Sequence, residues 1–535
     1  MTKPRRNDPP NFGDLLDDLP RGQHAEHVGR PPSNYFEHPA DIAATESMRM
    51  DVRHNRESKL FLGVVGGKVV TGPRQSDGRV PRWVEGGVPI GVSDDRHHFL
   101  QAGSRGGKGR AFLLNNLILA PKETSNLVLD PKGDNAATVA RYRAEVLGQD
   151  QAVIDPFNCS GSNTTRYRTG FNVIEELLRS DRRMLTADAM QISEALVVEN
   201  ESAKAPHWDE GAKDFIASLC IHASTHSNYA GCRDLVTVWE LMASATKPDP
   251  NDPHAYALET EMLQSDAGGG YVRAGAHAFY SRTGDEFSSM ASSVRRHLSF
   301  IGIEAVQDVL RGPSVNPRQL KNGSLTLYLS IPAMRNKAMK GFKRLVVQTC
   351  LSACEAEPVA TGNQTVFYLD EFHSLGRLEC METAIAQFAG LGVKLVIVLQ
   401  DISQLQSHYP KSWQTFLGNA GTFQTFSGFD EASLTYISKR LGEALTATPS
   451  SHQPSREQIV QEAATGASWA IGNKPLMTPN EIERIFARDD PKLRQLVLRP
   501  GYRPMILQRC FYDKAEFLKG RIDYSQSFSR SGGHP

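Results

Sequence analysis

A glycine-rich segment between an apolar strand and an apolar helix restricts the possible folds of this chain more than any other feature. It follows HHFLQA and precedes AFLLNNLILA. Its residues are Gly103, Ser104, Arg105, Gly106, Gly107, Lys108, Gly109 and Arg110. Glycines let consecutive backbone N–H groups turn toward a phosphate, and the N-terminus of the next helix adds partial positive charge. The segment therefore predicts a phosphate-binding loop in which Lys108 reaches the β- and γ-phosphates of a nucleotide.

The loop departs from the usual pattern at two positions. Ala102 stands where the first glycine is expected, and Gly109 stands where a serine or threonine binds Mg²⁺. Water or Ser104 could supply the missing oxygen ligand. A glycine-rich turn with a chance lysine is the alternative interpretation of this segment taken alone.

Strand-like apolar runs alternate with helix-like segments on both sides of a long helical stretch. Strands are predicted at 97–103, 125–130 and 151–157, with helices between them, and this order favours a doubly wound parallel α/β sheet. Apolar residues recur at helical spacing from 172 to 311, which predicts an inserted all-α domain. Strand signals return at 324–332, so the sheet is expected to resume there.

The predicted organisation consists of five segments and one flexible loop. The loop is expected at 445–466, where the sequence is polar and contains serine and proline. The segments are a disordered arm at 1–58, a first part of a nucleotide-binding domain at 59–171, the all-α domain at 172–311, a second part of the nucleotide-binding domain at 312–524 and a tail at 525–535.

Two strands of the second part end in polar residues. Asp370 and Glu371 follow VFYL, and Gln400 follows KLVIVL. Open α/β sheets bind ligands at the carboxyl ends of their strands. There Asp370 suits Mg²⁺ coordination, Glu371 suits deprotonation of the attacking water, and Gln400 suits hydrogen bonds to the γ-phosphate and that water. Each pattern alone also fits a polar strand end, but together with Lys108 and in this order they predict Mg²⁺-dependent hydrolysis of ATP.

Composition limits the setting in which the chain works. Lysine plus arginine and aspartate plus glutamate both number 60, so any basic surface for nucleic acid must be local. The seven cysteines form no CxxC pair, which indicates a reducing compartment and argues against structural zinc. The first twenty residues lack the apolar core of a signal peptide, and no apolar run approaches the ~20 residues of a membrane helix. The sequence predicts a soluble, cytoplasmic protein.

Across residues 90–512 the chain resembles the TraG-like type IV coupling proteins, the ATPases of conjugation and type IV secretion. The matching segments are AGSRGGKGR, LVLDPKGDNAA, DPFN, HWDEGAKDF, FYLDEFHSLGRL, GLGVKLVIVLQDISQL and NAGTFQTFSGFDEASLTYISKRLG. GKG in place of GK[ST] also occurs in that family.

The resemblance implies a RecA-like P-loop NTPase sheet with an inserted all-α domain, a homohexameric ring, and ATP and Mg²⁺ as cofactors. It also implies DNA, relaxase or effector cargo, and channel components as partners. Typical members carry N-terminal membrane helices, which this sequence does not show. The chain is therefore expected to be a soluble form that docks peripherally at the inner membrane through a partner.

Two sets of basic residues are candidates for further roles. An arginine finger from a neighbouring subunit is expected in such rings, and a basic run after a strand could contact DNA phosphates. For both sets a solvated surface role is the alternative. The finger candidates are Arg377, Arg440, Arg295 and Arg296, and the DNA candidates are Lys337, Lys340, Lys343 and Arg344.

The residues and the resemblance together predict an ATP-driven motor that recruits DNA or DNA–protein cargo and moves it to a type IV secretion or conjugation channel. Two alternatives remain open. One is a nucleotide-dependent cargo receptor with slow turnover, and the other is a soluble DNA translocase unconnected to secretion.

Overall fold

The chain divides into two compact units. The computed structural model describes residues 34–76, 78–198, 207–245, 256–358, 364–450 and 468–522. Unit 1 consists of Met1–Pro121 and Ile397–Arg521, and unit 2 of Lys122–Val396 and Ile522–Pro535. The chain thus leaves unit 1 after the predicted phosphate loop and its helix, and returns to it near the end of one strand.

The first segment of unit 1 is mainly β-structure. Its elements are α1 (Pro39–Ala44), β1 (Leu60–Val65), β2 (Lys68–Thr71), β3 (Arg82–Glu85), β4 (Val88–Val92), β5 (His97–Ala102), a π-helical turn (Gly109–Leu113) and α2 (Leu114–Leu119). The predicted disordered arm is wrong for residues 34–58. These residues are ordered because Ile42 and Met48 are buried and the Glu37 amide donates to the Pro504 carbonyl at 2.9 Å. Residues 1–33 lie outside the described residues.

Unit 2 contains a parallel sheet. Its strands and their connecting helices are β6 (Ser125–Leu129), α3 (Asp134–Glu145), β7 (Asp150–Ile154), β8 (Leu325–Leu329), α13 (Lys340–Ala356), β9 (Thr365–Leu369), α14 (Cys380–Gln387) and β10 (Val393–Leu399). The order is β10-β9-β6-β8-β7, and Leu127 of β6 pairs in parallel with Leu327 of β8 and Phe367 of β9. Every residue of these central strands is buried, as expected of strands covered on both faces. The predicted parallel α/β sheet is confirmed.

The chain between β7 and β8 is helical, as predicted for 172–311. Its helices are α4 (Ile174–Arg179), α5 (Leu185–Leu196), α6 (His207–Thr225), α7 (Leu235–Ala245), α8 (Ala257–Leu263), α9 (Tyr271–Tyr280), α10 (Gly284–Leu298), α11 (Glu304–Arg311) and α12 (Gln319–Asn322). The core includes the stacked rings of Phe215 and Phe279, whose centroids are 3.7 Å apart. Within the described ranges no helix combines the length and apolarity needed to cross a membrane. Docking at a membrane through a partner stays a prediction.

The second segment of unit 1 completes a mostly antiparallel sheet. Its elements are α15 (Ile402–His408), α16 (Trp413–Gly418), β11 (Ala420–Phe426), α17 (Glu431–Leu441), β12 (Glu443–Ser450), β13 (Ser468–Pro475), α18 (Pro479–Ile485), β14 (Arg494–Leu498) and β15 (Met505–Gln508). The order in unit 1 is β4-β1-β15-β14-β11-β5. Only β5 and β11 run in parallel among these strands, with Phe99 opposite Phe423. The phosphate loop therefore follows a strand with a parallel neighbour.

A two-stranded ribbon replaces part of the predicted flexible loop at 445–466. β12 and β13 pair antiparallel, from Glu443 opposite Pro475 to Ser450 opposite Ser468. The prediction is wrong for residues 445–450, where Thr446 and Thr448 provide β-branched residues that suit a strand. Residues 451–466, like the predicted tail at 525–535, lie outside the described residues.

Candidate functional site

The glycine-rich loop lies in unit 1 between β5 and the π-helical turn. Arg105 and Gly107 have φ angles of 57° and 92°, and the Gly106 amide donates to the Gly103 carbonyl at 3.0 Å. Alternation of right- and left-handed residues forms the backbone concavity that binds anions. A side chain at position 107 would be strained by this φ and would place its Cβ 3.3 Å from the Phe511 ring. The backbone is thus shaped for a phosphate.

The end of the loop leaves room for the hydroxyl that the sequence lacks. Gly109 opens the π-helical turn, and a Cβ built on it would meet no atom within 4 Å. Ser104, the predicted substitute, is exposed on the loop, and Lys108 is half-buried directly before the turn. The helix start therefore has the shape of a phosphate loop even though one ligand side chain is missing.

Two small residues, Ser427 and Gly428, lie directly against the glycine-rich loop. The Gly103 amide donates to the Ser427 carbonyl at 2.8 Å. A Cβ on Gly103 would approach the Gly428 Cα to 2.5 Å, which real structures do not allow. The two strand ends can meet this closely only because glycine occupies both positions. Ser427 and Gly428 belong to the segment NAGTFQTFSGFDEASLTYISKRLG, but the sequence gave no reason to expect that they contact the glycine-rich loop.

Arg509 supports the loop from the C-terminal part of unit 1. Its side chain is 1% exposed, and its guanidinium donates to the carbonyls of Gly106 at 3.5 Å, Ala487 at 3.2 Å and Arg488 at 3.0 Å. Burial lowers the pKa of Arg509 to about 10. A buried cation that bonds to a loop carbonyl holds the loop in one conformation. Sequence reasoning missed this residue because 400 positions separate it from the loop.

Arg110 is held by the same C-terminal stretch. Its guanidinium donates to Asp513 Oδ1 from Nε at 3.0 Å and from Nη2 at 2.8 Å. It also lies 4.6 Å from the centroid of the Phe511 ring. Arg110 was predicted to bind nucleotide, and the structure gives it a fork-shaped ion pair instead. Contact with a phosphate would require Arg110 to leave Asp513, so its nucleotide role stays a prediction.

In unit 2 the predicted acidic pair follows β9. Asp370 is 9% exposed, and its Oδ1 accepts from the Glu371 amide at 3.0 Å. Glu371 is half-buried and has a φ of 56°, a left-handed conformation that ordinary residues rarely adopt. The backbone thus turns sharply at the end of the strand, directly at the predicted acidic pair.

A third carboxylate shares this edge of the unit 2 sheet. Asp130 follows β6, which is the neighbour of β9, and its Oδ2 accepts from the Ala136 amide at 2.9 Å. Burial raises the pKa of Asp130 to about 7; hydrogen bonds oppose this rise, and the charges of Asp134 and Asp370 add to it. Carboxylates are the hard oxygen ligands that Mg²⁺ prefers, so Asp130 and Asp370 have the ligand chemistry for a divalent cation. Among the described residues, however, they do not form a group of three with ligand atoms within 4.8 Å of one another.

Two further predicted residues lie in the second segment of unit 1. Gln400 follows β10, is half-buried, and its backbone amide donates to Gln404 Oε1 at 3.2 Å. Arg440 lies near the end of α17 and donates from Nη1 to the Tyr436 hydroxyl at 2.9 Å. Arg440 is half-buried and lies close to the C-terminus of this helix.

The other finger candidates lie in unit 2. Arg377 is exposed after the acidic turn and pairs with Glu379 at 3.3 Å. Arg295 is exposed on α10. Its neighbour Arg296 donates from Nη2 to Asp209 at 2.8 Å, in the segment HWDEGAKDF. Arg296 is nevertheless exposed, and both Arg296 and Arg377 pair with a carboxylate of their own unit, so all these finger candidates stay predictions.

The predicted DNA-contact run is divided by burial. Lys337 is exposed and Lys340 is half-buried, whereas Lys343 and Arg344 are 4% and 3% exposed. A buried side chain cannot reach a DNA phosphate, so the structure removes Lys343 and Arg344 from the contact set. The prediction was wrong for these two residues because α13 begins at Lys340 and the later basic residues of this helix lie on its buried side.

Arg344 has a structural partner set of its own. Its guanidinium donates to the carbonyls of Ala195 at 2.9 Å and Glu194 at 3.0 Å, at the C-terminal end of α5. It also bonds to the carbonyl of Arg377. The last carbonyls of a helix lack partners within the helix, and a cation there satisfies them and opposes the helix dipole. Arg344 therefore fastens α5 and the segment after the acidic turn to α13.

The phosphate loop, the parallel strands and the helical insertion define a RecA-like P-loop α/β protein with an inserted helical segment. The same chain matches, over residues 58–531, the model of the family described as "Type IV secretory system Conjugative DNA transfer". The chain belongs to that family.

Known proteins similar to the chain include conjugation and secretion proteins. The conjugal transfer protein TraG of Rhizobium radiobacter is 23% identical over 451 residues, which cover 82% of this chain and 66% of TraG. The type IV secretion system-coupling protein VirD4 of Bartonella quintana (strain Toulouse) is 20% identical over 422 residues, 78% of this chain and 62% of VirD4. The chain thus spans less than two thirds of the length of these relatives.

Solved structures of a coupling protein share the fold. The bacterial conjugative coupling protein TrwBdeltaN70, in its unbound monoclinic form, aligns with a TM-score of 0.58 at 16% identity, covering 79% of this chain and 86% of that chain. The plasmid coupling protein TrwB in complex with ADP and Mg²⁺ aligns with a TM-score of 0.56 at 15% identity, covering 79% and 88%.

Proposed function

We propose that this chain is a nucleotide-hydrolysing motor that recruits DNA, free or bound to protein, and moves it to a type IV secretion or conjugation channel. The observation that carries the proposal is the phosphate-shaped backbone of residues 103–109 in a chain of the conjugative DNA transfer family. TrwB, which shares the fold, has been solved with ADP and Mg²⁺, and this supports the choice of cofactors.

Four residues would carry the chemistry. Lys108 would neutralise charge on the β- and γ-phosphates, and Asp370 would hold Mg²⁺, which stabilises the charge of the transferring phosphoryl group. Glu371 would accept a proton from the attacking water; its half-buried position directly after β9 supports this role. Gln400 would orient the water and the γ-phosphate.

The working form would be a homohexameric ring docked at the inner membrane through a partner. In such a ring an arginine of one subunit stabilises the transition state at its neighbour. Arg377, Arg295 and Arg296 are exposed and Arg440 is half-buried near a helix end, so these four are the proposed fingers. Cargo would be DNA with a relaxase, or a protein effector, delivered to channel components.

The DNA contact is assigned to the turn after β8. Lys337 is exposed there, Lys340 opens α13, and Met334 beside them is 98% exposed. The Arg335 guanidinium lies 4.4 Å from the centroid of the Phe157 ring, which anchors the base of the turn. Exposed cations on a short, anchored turn can bind phosphates without base specificity.

A second candidate function is a cargo receptor that binds nucleotide and hydrolyses it slowly. Gly109 favours this candidate, because it removes the hydroxyl that binds Mg²⁺ in most phosphate loops.

One assay tests both functions. ATP hydrolysis would be measured for the wild-type chain with Mg²⁺ and with no DNA, single-stranded DNA or duplex DNA. A motor should hydrolyse faster with DNA, and Lys108→Ala should lose nucleotide binding while the exposed control Lys411→Ala behaves as wild type. Tight ATP binding without DNA-stimulated turnover would support the receptor. Full activity in Lys108→Ala would contradict the phosphate-loop assignment.

A further inference from the structure

The helical segment of unit 2 contains a cluster of metal-ligating side chains remote in sequence from every motif above. It consists of His222 near the end of α6, His226 directly after that helix, and Glu261 on α8. One potential ligand atom from each lies within 4.8 Å of the other two. Among the described residues, no other group of three or more histidine, cysteine or acidic side chains has its ligand atoms this close together.

His222 is in an unusual state for a buried polar side chain. It is 0% exposed, yet neither ring nitrogen has a hydrogen-bond partner among the described residues. Its Nε2 lies 3.4 Å from Glu261 Oε2, but this contact lacks hydrogen-bond geometry. Buried polar groups nearly always have partners, and an exception requires an explanation such as an ion. The ring thus faces a carboxylate at ion-pair distance, and its Nδ1 has no hydrogen-bond partner among the described residues.

The spacing of the cluster matches a zinc site. Two histidines four residues apart, one in the last turn of α6 and one directly after it, lie with their rings close together, and imidazoles at this spacing are common zinc ligands. Around Zn²⁺, with bonds of about 2.0–2.1 Å, neighbouring tetrahedral ligand atoms are about 3.3 Å apart. The 3.4 Å separation of His222 Nε2 and Glu261 Oε2 already has this value. The centroids of the two imidazole rings are 4.8 Å apart, so the His226 ring would have to move closer to complete the set around the ion.

An outer layer of hydrogen bonds orients the carboxylate. Asn228 Nδ2 donates to Glu261 Oε1 at 2.9 Å, and the Tyr229 hydroxyl donates to Glu261 Oε2 at 3.0 Å. Metal-binding carboxylates are typically fixed in this way by neighbours that do not touch the metal. His226 Nδ1 accepts a long hydrogen bond, 3.4 Å from the Asn228 amide, which a metal could displace at little cost.

We propose that His222, His226 and Glu261 bind one Zn²⁺ ion, with water in the fourth position. Two imidazoles and one carboxylate are ligands that Zn²⁺ favours, whereas Mg²⁺ requires oxygen ligands. The ion joins the end of α6 to α8 and satisfies the buried ring of His222. The site is independent of the nucleotide chemistry.

The test is a zinc titration of the full chain after treatment with a chelator. Zn²⁺ would compete with a chromophoric chelator in the presence of millimolar Mg²⁺, and Co²⁺ would report the coordination geometry by visible absorption. The wild-type chain should bind one equivalent, show a tetrahedral Co²⁺ spectrum and melt at a higher temperature with Zn²⁺. Absence of binding, or complete competition by Mg²⁺, would overturn the proposal.

Variants separate the site from loss of folding. His226→Ala and Glu261→Gln alter half-buried positions and should weaken Zn²⁺ binding at least about 10-fold, with unchanged circular dichroism. His277→Ala, an exposed histidine of the same helical segment, is the control and should bind as wild type. Equal Zn²⁺ affinity in all four proteins would show that the metal binds elsewhere.

Discussion

The Lys343 ammonium donates to the Ser374 hydroxyl at 2.8 Å. It also donates to the Ser374 carbonyl at 3.1 Å and to Asn336 Oδ1 at 3.0 Å. Ser374 lies three residues after Glu371, and Asn336 precedes Lys337 in the exposed turn. One buried cation therefore connects the turn of the proposed base to the turn proposed to contact DNA, and we expect movement of one turn to affect the other.

The buried cation should make stability depend on pH. Burial lowers the pKa of Lys343 from 10.5 to about 8, with Glu371 opposing the change. Between pH 8 and 10.5 the unfolded chain binds this proton more strongly, so folded-state stability rises with pH across that window and is unaffected below it. Lys343→Met removes the titration. The unfolding free energy of the wild type minus that of the variant should increase by about 3 kcal/mol from pH 7.5 to 10.5, measured by denaturation at each pH, and a constant difference would contradict the burial argument.

Restoring a hydroxyl at the phosphate loop should strengthen Mg²⁺ use. Gly109→Ser fits because a Cβ there meets no atom within 4 Å, and its oxygen would lie at the position that usually binds Mg²⁺. We expect half-maximal hydrolysis at a lower Mg²⁺ concentration. Gly109→Ala is the control, since it adds the same Cβ and helix preference without an oxygen. An identical Mg²⁺ requirement in both variants would show that water already fills this role.

Removal of the proposed base should separate binding from turnover. Glu371→Gln keeps the size of the side chain but cannot accept the proton, so hydrolysis should fall about 10²–10⁴-fold while ATP still binds. Glu355→Gln, an exposed acidic residue of α13 in the same unit, is the matched control. Single-turnover hydrolysis and nucleotide affinity would be measured for both. Near-normal turnover in Glu371→Gln would assign the base to another residue.

The exposed turn should determine the salt dependence of DNA binding. Each phosphate contact contributes a slope of about 0.9 in log affinity against log salt for duplex DNA, or about 0.7 for single strands. Replacing Lys337 and Lys340 with alanine should therefore reduce the slope by up to two contacts. Lys411→Ala/Lys519→Ala removes the same charge from exposed positions elsewhere and should leave the slope unchanged. Equal slopes in the two double variants would move the DNA path off this turn.

The main elements of both units could be predicted from local patterns. Apolar runs of strand length such as 125–130 and 365–369 predict strands covered on both faces, and β6 and β9 confirm this. The helical spacing of 172–311 likewise predicted the insertion. These features are local because a strand or helix buries its own residues, so a window of ten positions contains the signal.

Other features depend on contacts that no local window contains. Arg509, Phe511 and Asp513 reach the phosphate loop across about 400 positions, and only the fold brings them there. The burial of Arg344 could not be inferred either, because its partners are backbone carbonyls of α5, which any sequence supplies. Its charge alone therefore predicted a surface position for Arg344, whereas the structure shows a buried side chain with hydrogen bonds to the backbone.

The left-handed backbone conformation at position 371 favours glycine for stability, whereas the proposed mechanism requires the carboxylate of Glu371. A residue with a side chain pays about 1–2 kcal/mol for this conformation, whereas glycine adopts it freely. A library varied at 371 and screened for heat resistance alone should therefore accumulate glycine or asparagine there. The selected variants would be more heat-stable but, under the proposed mechanism, unable to activate the attacking water. Heat-stable homologues chosen for engineering should be checked at this residue first.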